Sequence, residues 1–175
     1  MMRIYLLGFM GAGKTYWGNL WAKDLGISFT DLDKKIEFEE GMLIEDIFEK
    51  RGEEYFRKLE STILRGTAQE NNCIIATGGG TPCFYGNMGW MNRHGITIFL
   101  DASPTYLFNR LKSDETSRPL LKNQNESEIK FFIEKKMEER MPFYSQARLC
   151  LPCQEITINT LRGILPLINK NNKNA

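Results

Sequence analysis

The chain has 175 residues, a length that suits a single domain whose hydrophobic core needs no disulfide framework. Its 23 basic residues nearly balance 22 acidic ones, which excludes an extended nucleic-acid-binding surface and a polybasic membrane anchor. The first apolar run is too short for a signal peptide and no stretch is long enough to span a bilayer, so we expect a cytoplasmic monomer that interacts with small molecules.

Strand-like and helix-like segments alternate along the chain. The strand-like runs are Arg3–Leu7, Ser28–Asp31, Cys73–Thr77, Ile96–Asp101 and Arg148–Leu151. The helix-like patterns are Lys14–Leu25, Lys34–Glu40, Ile44–Lys50, Glu53–Gln69, Pro104–Leu111, Ser127–Ala147 and Ile158–Ile168. This order predicts an α/β fold of three layers, with about five parallel strands and helices on both faces, in one domain over residues 1–170 with a disordered tail at 171–175. In such sheets the ligand site lies beyond the carboxyl ends of the strands.

The segment Gly8–Thr15 reads GFMGAGKT and matches the phosphate-binding pattern Gly-x4-Gly-Lys-Thr between a strand-like and a helix-like run. Its glycines let successive N–H groups point at an anion, and the following helix adds its positive end. Lys14 would reach the β- and γ-phosphates of a nucleotide, and the hydroxyl of Thr15 would bind Mg²⁺. The expected nucleotide-binding residues here are Gly11, Ala12, Gly13, Lys14, Thr15 and Tyr16. The alternative is a tight corner, which requires neither the lysine nor the threonine.

Two aspartates follow the second strand-like run in the stretch TDLD. If the strand continues that far, Asp31 and Asp33 share a face, where one could bind Mg²⁺ and the other could accept a proton from a hydroxyl. The alternative is structural, because aspartate is a favoured helix N-cap. Asp101, at the end of another apolar strand, competes for the metal as in many P-loop ATPases. We favour Asp31, because a small kinase also needs a carboxylate on the acceptor side.

The helix-like stretch GEEYFRKLE places Arg57 and Glu60 three residues apart, beside an apolar stripe. Glu60 could position Arg57 as a clamp for a carboxylate. The commoner explanation of such a pair is an exposed helical ion pair, and the spacing alone leaves both open.

The stretch TGGGTP ends the third strand-like run with three consecutive glycines. A sharp turn needs only one or two, so the triplet indicates a backbone that approaches another group closely and offers N–H donors to a ligand.

The polar stretch SDETSRPLLKNQNES, residues 113–127, separates two helix-like segments and contains Arg118. A loop of this length in a compact domain is typical of a lid. In phosphoryl transfer, an arginine that a closing lid delivers neutralises charge on the transferred group. We therefore expect Arg118 to act in catalysis and to contact the nucleotide.

The four cysteines, Cys73, Cys83, Cys150 and Cys153, follow no disulfide or zinc spacing. Cys150 and Cys153 form a C-x-x-C pair, but a structural zinc would need a second pair. We expect reduced thiols, and a surface position for the single histidine, His94, in a connection between elements.

The ordered set GFMGAGKT, DLD, GEEYFRKLE, TGGGTP, RPLL and RMPFY resembles the shikimate kinase family, from Ile4 to about Ala147. The family transfers the γ-phosphate of ATP to the 3-hydroxyl of shikimate with Mg²⁺, in the pathway to aromatic amino acids. The resemblance implies the same reaction here, with ATP and shikimate as the small-molecule partners.

The resemblance also implies roles for single residues. Lys14 matches the loop lysine of the family and Thr15 its metal-binding hydroxyl, together with Asp31 on the metal side. Asp33 matches the residue that hydrogen-bonds the substrate hydroxyls and acts as base. Four further matches concern the ligands: Arg57 and Arg140 would grip the shikimate carboxylate with Gly79, and Arg110 would lie against adenine. Phe48 and Phe56 would supply apolar walls, and Arg118 matches the lid arginine.

Two segments depart from the family pattern. The residues YWGN follow Thr15, with Asn19 where the family has arginine, which disturbs a helix surface more than the chemistry. The segment LCLPCQEIT does not match the usual strand and adenine loop. Two other functions remain open: a different small-metabolite kinase such as gluconate kinase, or a module that binds ATP without transferring phosphate.

Overall fold

The structure is a computed structural model that describes residues 2–113 and 125–171, with side chains as far as residue 166. Five strands in this part of the chain form one sheet: β1 (Arg3–Leu7), β2 (Ser28–Asp31), β3 (Cys73–Ala76), β4 (Ile96–Asp101) and β5 (Leu149–Pro152). The helices are α1 (Lys14–Leu25), α2 (Leu32–Glu40), α3 (Ile44–Gly66), α4 (Asn87–His94), α5 (Pro104–Ser113), α6 (Glu126–Tyr144) and α7 (Thr160–Asn171). None of the helices in the described part combines the length and apolarity that crossing a membrane requires.

The strands lie in the order β2-β3-β1-β4-β5, and every neighbouring pair is parallel. Four consecutive residues of β1, Ile4–Leu7, are fully buried. Because successive side chains of a strand point to opposite faces, burial of all four shows that both faces of the sheet are covered. The predicted α/β fold with a parallel sheet between helices is therefore confirmed. The parallel pairing also brings the carboxyl ends of the strands to one edge of the sheet, where the sequence motifs follow.

The opposite edge of the sheet is tied together by Arg3, at the start of β1. Its guanidinium donates hydrogen bonds to the carbonyl oxygens of Ala68 at 2.8 Å, Glu70 at 2.9 Å and His94 at 2.6 Å. These bonds satisfy backbone oxygens beyond the ends of α3 and at the end of α4, far along the sequence from one another. One side chain thus joins three segments at the amino-terminal edge of the sheet.

Helix α4 is missing from the sequence-based prediction, which left this segment as a connection. The helix contains Gly89 and follows Gly86, so its local helix propensity is low. Met88 and Met91 are buried in the core, and this tertiary packing stabilises a helix that propensity alone does not predict. His94 is the last residue of the helix rather than part of a connection. Its side chain is exposed, as expected.

Helices α2, α3, α5, α6 and α7 also begin or end up to about three residues from the predicted positions, and two predicted helices are one element. The helices expected at Ile44–Lys50 and Glu53–Gln69 are two halves of α3, which is kinked at Gly52 with φ 79° and ψ 168°. A residue in this left-handed region interrupts the helix, and glycine adopts it without strain. Helix α2 begins at Leu32, two residues before the predicted start.

The expected lid lies mostly outside the described residues, since residues 114–124, with Arg118, are not described. The structure describes the residues on either side of this segment: Ser113 ends α5, and Asn125 caps the start of α6. The side chain of Asn125 accepts from the amide of Glu128 at 3.0 Å, and Glu128 accepts from the amide of Asn125 at 2.8 Å, which completes a capping box. Of the expected tail, Asn171 belongs to α7 and residues 172–175 lie outside the described part.

Gly95, between α4 and β4, lies close against β1, and a substitution there tests how tightly the two segments pack. A Cβ added there would lie 2.5 Å from the carbonyl oxygen of Arg3 and 2.9 Å from the ring of Tyr5, so β1 would have to shift. We expect Gly95→Ala to lower the free energy of unfolding by about 1–3 kcal/mol in urea denaturation. The control is Gly66→Ala at the exposed end of α3, where a Cβ meets nothing within 4 Å. The control should raise stability by up to about 1 kcal/mol, and equal effects of the two substitutions would contradict the packing.

Candidate active site

The phosphate-binding loop joins β1 to α1 at the carboxyl edge of the sheet. Gly8, Gly11 and Gly13 have φ values of 141°, 85° and 92°, a region that side chains disfavour, so these glycines are required by the backbone. The ammonium of Lys14 donates to the carbonyl oxygens of Gly8 at 2.8 Å and Phe9 at 3.0 Å. This geometry places a positive charge and the start of a helix at the loop, which is the arrangement that binds phosphate groups.

Asp31 performs two tasks with its two carboxylate oxygens. Oδ1 caps α2 by accepting the amides of Asp33 at 3.1 Å and Lys34 at 3.3 Å. Oδ2 accepts the hydroxyl of Thr15, at the start of α1, at 2.7 Å. The structural and functional interpretations of the sequence are thus compatible, because capping uses one oxygen and leaves the other facing the loop.

The pair formed by Thr15 and Asp31 fits a magnesium ion. Both are hard oxygen donors, which Mg²⁺ prefers, and they already lie within hydrogen-bond distance of each other. In the described ranges, no group of three or more His, Cys, Asp or Glu side chains could hold a metal. A Mg²⁺ here would therefore take its other ligands from phosphates and water, as is usual for this ion. Asp101 lines a different groove, with Ser103 and Met137, whereas Asp31 lines the same cavity as Thr15.

Asp33 lies in the first turn of α2, because β2 ends at Asp31. The prediction that Asp31 and Asp33 share a strand face is therefore wrong. The first turn of α2 brings the two carboxylates together instead. Burial, followed by the nearby charges of Asp31 and Glu60, raises the pKa of Asp33 to about 6, while Lys14 acts in the opposite direction. An acid with this pKa can take up and release a proton near neutral pH.

Each glycine of the triplet Gly78–Gly80 is approached by a different charged group. The point that a Cβ of Gly78 would occupy lies 2.8 Å from a Glu60 oxygen and 2.9 Å from an Asp33 oxygen. The corresponding point of Gly79 lies 2.9 Å from Nη1 of Arg140, and that of Gly80 lies 2.8 Å from Nη2 of Arg57. The predicted close approach is correct, and the approaching groups are the protein's own side chains.

Arg57 is held by a buried carboxylate and a set of aromatic rings. Its guanidinium donates to Glu60 at 2.9 Å, and the two side chains are 12% and 0% exposed. Its Cζ lies 5.7, 5.0 and 4.4 Å from the ring centroids of Phe48, Phe56 and Phe84. The explanation as an exposed ion pair is therefore wrong, and Glu60 does position Arg57. Phe48 and Phe56 contact Arg57 directly, with their centroids 4.5 Å apart.

Arg140 reaches the triplet from α6, at Gly79. Its guanidinium carbon lies 5.2 Å from the centroid of Phe9, in the phosphate-binding loop. One turn further along α6, the hydroxyl of Tyr144 donates to the carbonyl oxygen of Gly79 at 2.6 Å. Burial raises the pKa of this phenol well above its ordinary value, so it remains a proton donor. The two arginines thus approach consecutive glycines of the triplet, Gly79 and Gly80.

A cavity of about 490 Å³ connects the loop, the two aspartates and Gly79. Gly11, Gly13, Lys14, Thr15, Tyr16 and Arg110 belong to its walls, whereas Ala12 has its side chain buried in the core. Arg110 is held by the hydroxyl of Tyr106 at 3.1 Å. Among the predicted site residues, only Arg118 lies outside the described part of the chain.

Three supporting residues were missed by the sequence analysis: Thr81, Phe84 and Tyr144. Thr81 donates its hydroxyl to Glu60 at 2.5 Å. Tyr144 follows Arg140 by four residues on a helix, a spacing that places two side chains on one face and could have been noticed. Phe84 carries no comparable signal, because it follows a short turn whose direction depends on the fold.

The two departures from the family pattern affect the surroundings of the loop. The amide of Asn19 donates to the carbonyl oxygen of Thr15 at 3.0 Å, within α1. The segment LCLPCQEIT contains β5, and the thiol of Cys153 donates to the carbonyl oxygen of Ala12 at 3.5 Å. Cys73, Cys83, Cys150 and Cys153 are all free thiols.

Comparison with known proteins agrees with this geometry. The family model described as shikimate kinase matches residues 10–160, most of the chain. The chain belongs to the shikimate kinase family. A curated shikimate kinase from Bacteroides thetaiotaomicron is 44% identical over 156 residues, which cover 89% of each of the two chains.

Solved shikimate kinases also share the fold. The crystal structure of shikimate kinase from Bacteroides thetaiotaomicron has a TM-score of 0.91 at 40% identity, and covers 94% of this chain and 98% of its own. Shikimate kinase from Acinetobacter baumannii, solved in complex with shikimate, has a TM-score of 0.84 at 32% identity, and covers 98% of this chain and 94% of its own. The family that the sequence motifs predicted is therefore confirmed over nearly the full chain.

The buried pair Arg57 and Glu60 generates a stability prediction. Glu60→Gln keeps the shape of the side chain but leaves the guanidinium without its buried counter-charge, which should cost about 1–4 kcal/mol of unfolding free energy. Glu54→Gln, on the same helix, is the control, because it breaks an exposed pair with Lys58. Urea denaturation should show no measurable change for the control. Similar losses in both variants would mean that the burial of the pair contributes nothing.

Proposed function

We propose that the chain transfers the γ-phosphate of ATP to the 3-hydroxyl of shikimate, a step in aromatic amino acid biosynthesis. The observation that carries the proposal is the placement of Arg57 and Arg140 against consecutive glycines, Gly80 and Gly79. Two guanidinium groups in this position suit a carboxylate, which they bind in two-pronged fashion. The family membership of the chain and the shikimate complex of the Acinetobacter relative support the same acceptor.

On the donor side, the loop amides and Lys14 bind the β- and γ-phosphates. Thr15 and Asp31 would hold Mg²⁺, which would neutralise charge on the phosphate oxygens. Arg110 contacts the adenine, together with the backbone of the loop and Tyr16. Arg118 approaches the transferred phosphoryl group from the lid and balances the charge that develops there.

On the acceptor side, Arg57, Arg140 and the backbone of Gly79 hold the carboxylate and so fix the orientation of the ring. Asp33 then accepts a hydrogen bond from the 3-hydroxyl and takes its proton as the oxygen bonds to phosphorus. The bond between the γ-phosphorus and the bridging oxygen breaks, and ADP leaves. Asp33 suits this task because its pKa is raised to about 6, closer to neutrality than that of an ordinary aspartate.

We further propose that the enzyme is a cytoplasmic monomer. The near balance of 23 basic and 22 acidic residues offers no extended surface for a membrane or nucleic acid. The free state of all four cysteines suits a reducing compartment.

The decisive experiment is a coupled assay of ADP release with ATP and Mg²⁺, in which shikimate, quinate and gluconate are compared as acceptors. Shikimate should stimulate ADP release far above the rate without acceptor. Stimulation by gluconate alone would favour a different small-metabolite kinase. ADP release that no acceptor stimulates, in a protein that still binds ATP, would favour a non-catalytic module.

The carboxylate clamp makes a kinetic prediction. Arg57→Ala and Arg140→Ala should each raise the KM for shikimate by about 10–100-fold, because each removes one charge-assisted interaction, while the KM for ATP stays unchanged. Arg51→Ala is a matched control on the same helix, since Arg51 pairs with Glu40 at 3.1 Å away from the triplet. An unchanged KM for shikimate in both variants would remove the clamp from the proposal.

The proposed base makes a second prediction. Asp33→Asn should lower kcat by about 10²–10⁴-fold without unfolding the protein, because an amide accepts no proton from the hydroxyl. Steady-state kinetics and a thermal unfolding curve measure the two effects separately. Glu39→Gln, an exposed acid on the same helix, should leave kcat unchanged. Near-normal turnover of Asp33→Asn would show that another residue holds the acceptor hydroxyl.

A further inference from the structure

A fully buried polar side chain, that of Asn87, lies at the start of α4 and contacts the segment that follows the glycine triplet. Its amide oxygen accepts the hydroxyl of Ser61 at 2.8 Å and Nη1 of Arg65 at 2.9 Å, both on α3. Its amide nitrogen donates to the carbonyl oxygen of Thr81 at 2.9 Å. The side chain of Asn87 therefore fixes Thr81 to α3.

Thr81, the residue directly after the triplet, is itself fully buried. Its amide donates to the carbonyl oxygen of Gly78 at 3.2 Å, and its own carbonyl oxygen is the group that Asn87 holds. Both backbone groups of Thr81 are thus hydrogen-bonded. Because threonine is β-branched, its side chain has few rotamers, so its hydroxyl has a defined position.

The hydroxyl of Thr81 meets Glu60 beside Gly78. The point that a Cβ of Gly78 would occupy lies 3.0 Å from this hydroxyl oxygen and 2.8 Å from Oε1 of Glu60. The hydroxyl donates to the same Oε1 at 2.5 Å, whereas Oε2 of Glu60 accepts Nη1 of Arg57 at 2.9 Å. The two oxygens of this buried carboxylate therefore have different partners, a hydroxyl on one and a guanidinium on the other.

The segment between Thr81 and Asn87 also places a ring on Arg57. The backbone amide of Asn87 donates to the carbonyl oxygen of Phe84 at 2.9 Å. The ring centroid of Phe84 lies 4.4 Å from Cζ of Arg57, closer than the centroids of the two other rings around that guanidinium. Asn87 thus holds Thr81 with its side chain and Phe84 with its backbone, and both of these residues act on the surroundings of Arg57.

The hydroxyl of Thr81 determines which group Glu60 binds. Without it, Oε1 of Glu60 would be a buried acceptor that has lost its donor, which is costly. The nearest remaining donors belong to Arg57, whose Nη2 lies 2.8 Å from the Cβ point of Gly80. Glu60 would then draw the guanidinium away from its position beside the triplet.

We infer that Asn87 and Thr81 are positioning residues for the acceptor acid: Asn87 fixes Thr81, Thr81 fixes Glu60, and Glu60 fixes the guanidinium that binds the acid. This inference rests on the proposed function, which assigns Arg57 to the carboxylate of the acceptor. A fully bonded buried network holds the guanidinium in its binding orientation before the acid arrives, which reduces the entropy lost on binding. Neither Asn87 nor Thr81 lines the cavity beside the phosphate-binding loop, so both act through Arg57.

Calorimetric binding of shikimate and of ADP to the full chain tests the inference. Thr81→Val keeps the shape of the side chain but removes the hydroxyl. The dissociation constant for shikimate should rise about tenfold, while that for ADP stays unchanged. Thr81→Ser restores the hydroxyl without the methyl group, and should bind shikimate within about twofold of the unaltered chain even though its Tm is lower.

Thr67→Val is the matched control. Thr67 is also fully buried, and its hydroxyl donates to the carbonyl oxygen of Leu64 at 2.6 Å and lies 3.2 Å from the hydroxyl of Tyr5, not at the triplet. Loss of this hydroxyl should lower the Tm and leave both dissociation constants unchanged. The control therefore separates a loss of stability from a loss of positioning.

The outcomes distinguish the inference from the proposed function. Unchanged shikimate affinity in Thr81→Val would overturn the inference, as would an equal loss for shikimate and ADP or a failure of Thr81→Ser to restore binding. Failure of the unaltered chain to bind shikimate would overturn the proposed function itself.

If Thr81→Val does not fold, Asn87→Asp decides the question. This variant keeps an oxygen for Ser61 and Arg65 but removes the N–H that holds the carbonyl oxygen of Thr81. It must weaken shikimate binding and spare ADP binding for the inference to stand.

Discussion

The absence of side chains at Gly78, Gly79 and Gly80 is the constraint on which the site depends. The triplet follows a buried strand at the carboxyl edge of the sheet, where any Cβ would occupy the space that charged groups now fill. Acids approach the first glycine and one arginine approaches each of the next two. The backbone therefore brings together charges of both signs, from helices that are distant in sequence, at contact distance. Larger residues at these positions would push apart the acids and the arginines that meet at the triplet.

The two acids at the triplet, Glu60 and Asp33, differ in the groups that surround them. Glu60 is fully buried and is paired with both Arg57 and Thr81. Asp33 has Asp31, Glu60 and Glu37 as like-charged neighbours, and the charge of Lys14 acts against them. Arg57 is thus held by Glu60, whereas the pKa of Asp33 is raised. The same cluster therefore holds Arg57 in position and contains an acid whose pKa lies near neutrality.

The sequence predicted the elements whose signal is local. The strands, the phosphate-binding loop and the acidic pair each follow from a short pattern, since hydrophobic runs and glycine spacing report directly on the backbone. Helix α4 was not predicted, because Gly89 lowers the helix propensity of this segment and the helix is stabilised by burial of Met88 and Met91. The burial of Glu60 also could not be predicted, because an acid at helical spacing from an arginine looks the same whether its face is buried or exposed. Phe84 likewise depends on where a turn directs the chain. Contacts between distant segments thus account for what a one-dimensional pattern leaves open.

The amino-terminal edge of the sheet lies opposite the edge that carries the glycine triplet and the phosphate-binding loop. There Arg3 ties the residues after α3 to the end of α4, and none of the groups that bind the proposed substrates takes part. Arg93 and His94 are exposed at that end of the molecule. A dye, a surface tether or a reporter attached at this pole would leave the entrance to the cavity unobstructed. The fold thus provides a handle for immobilised or single-molecule measurements at one pole and retains substrate access at the other.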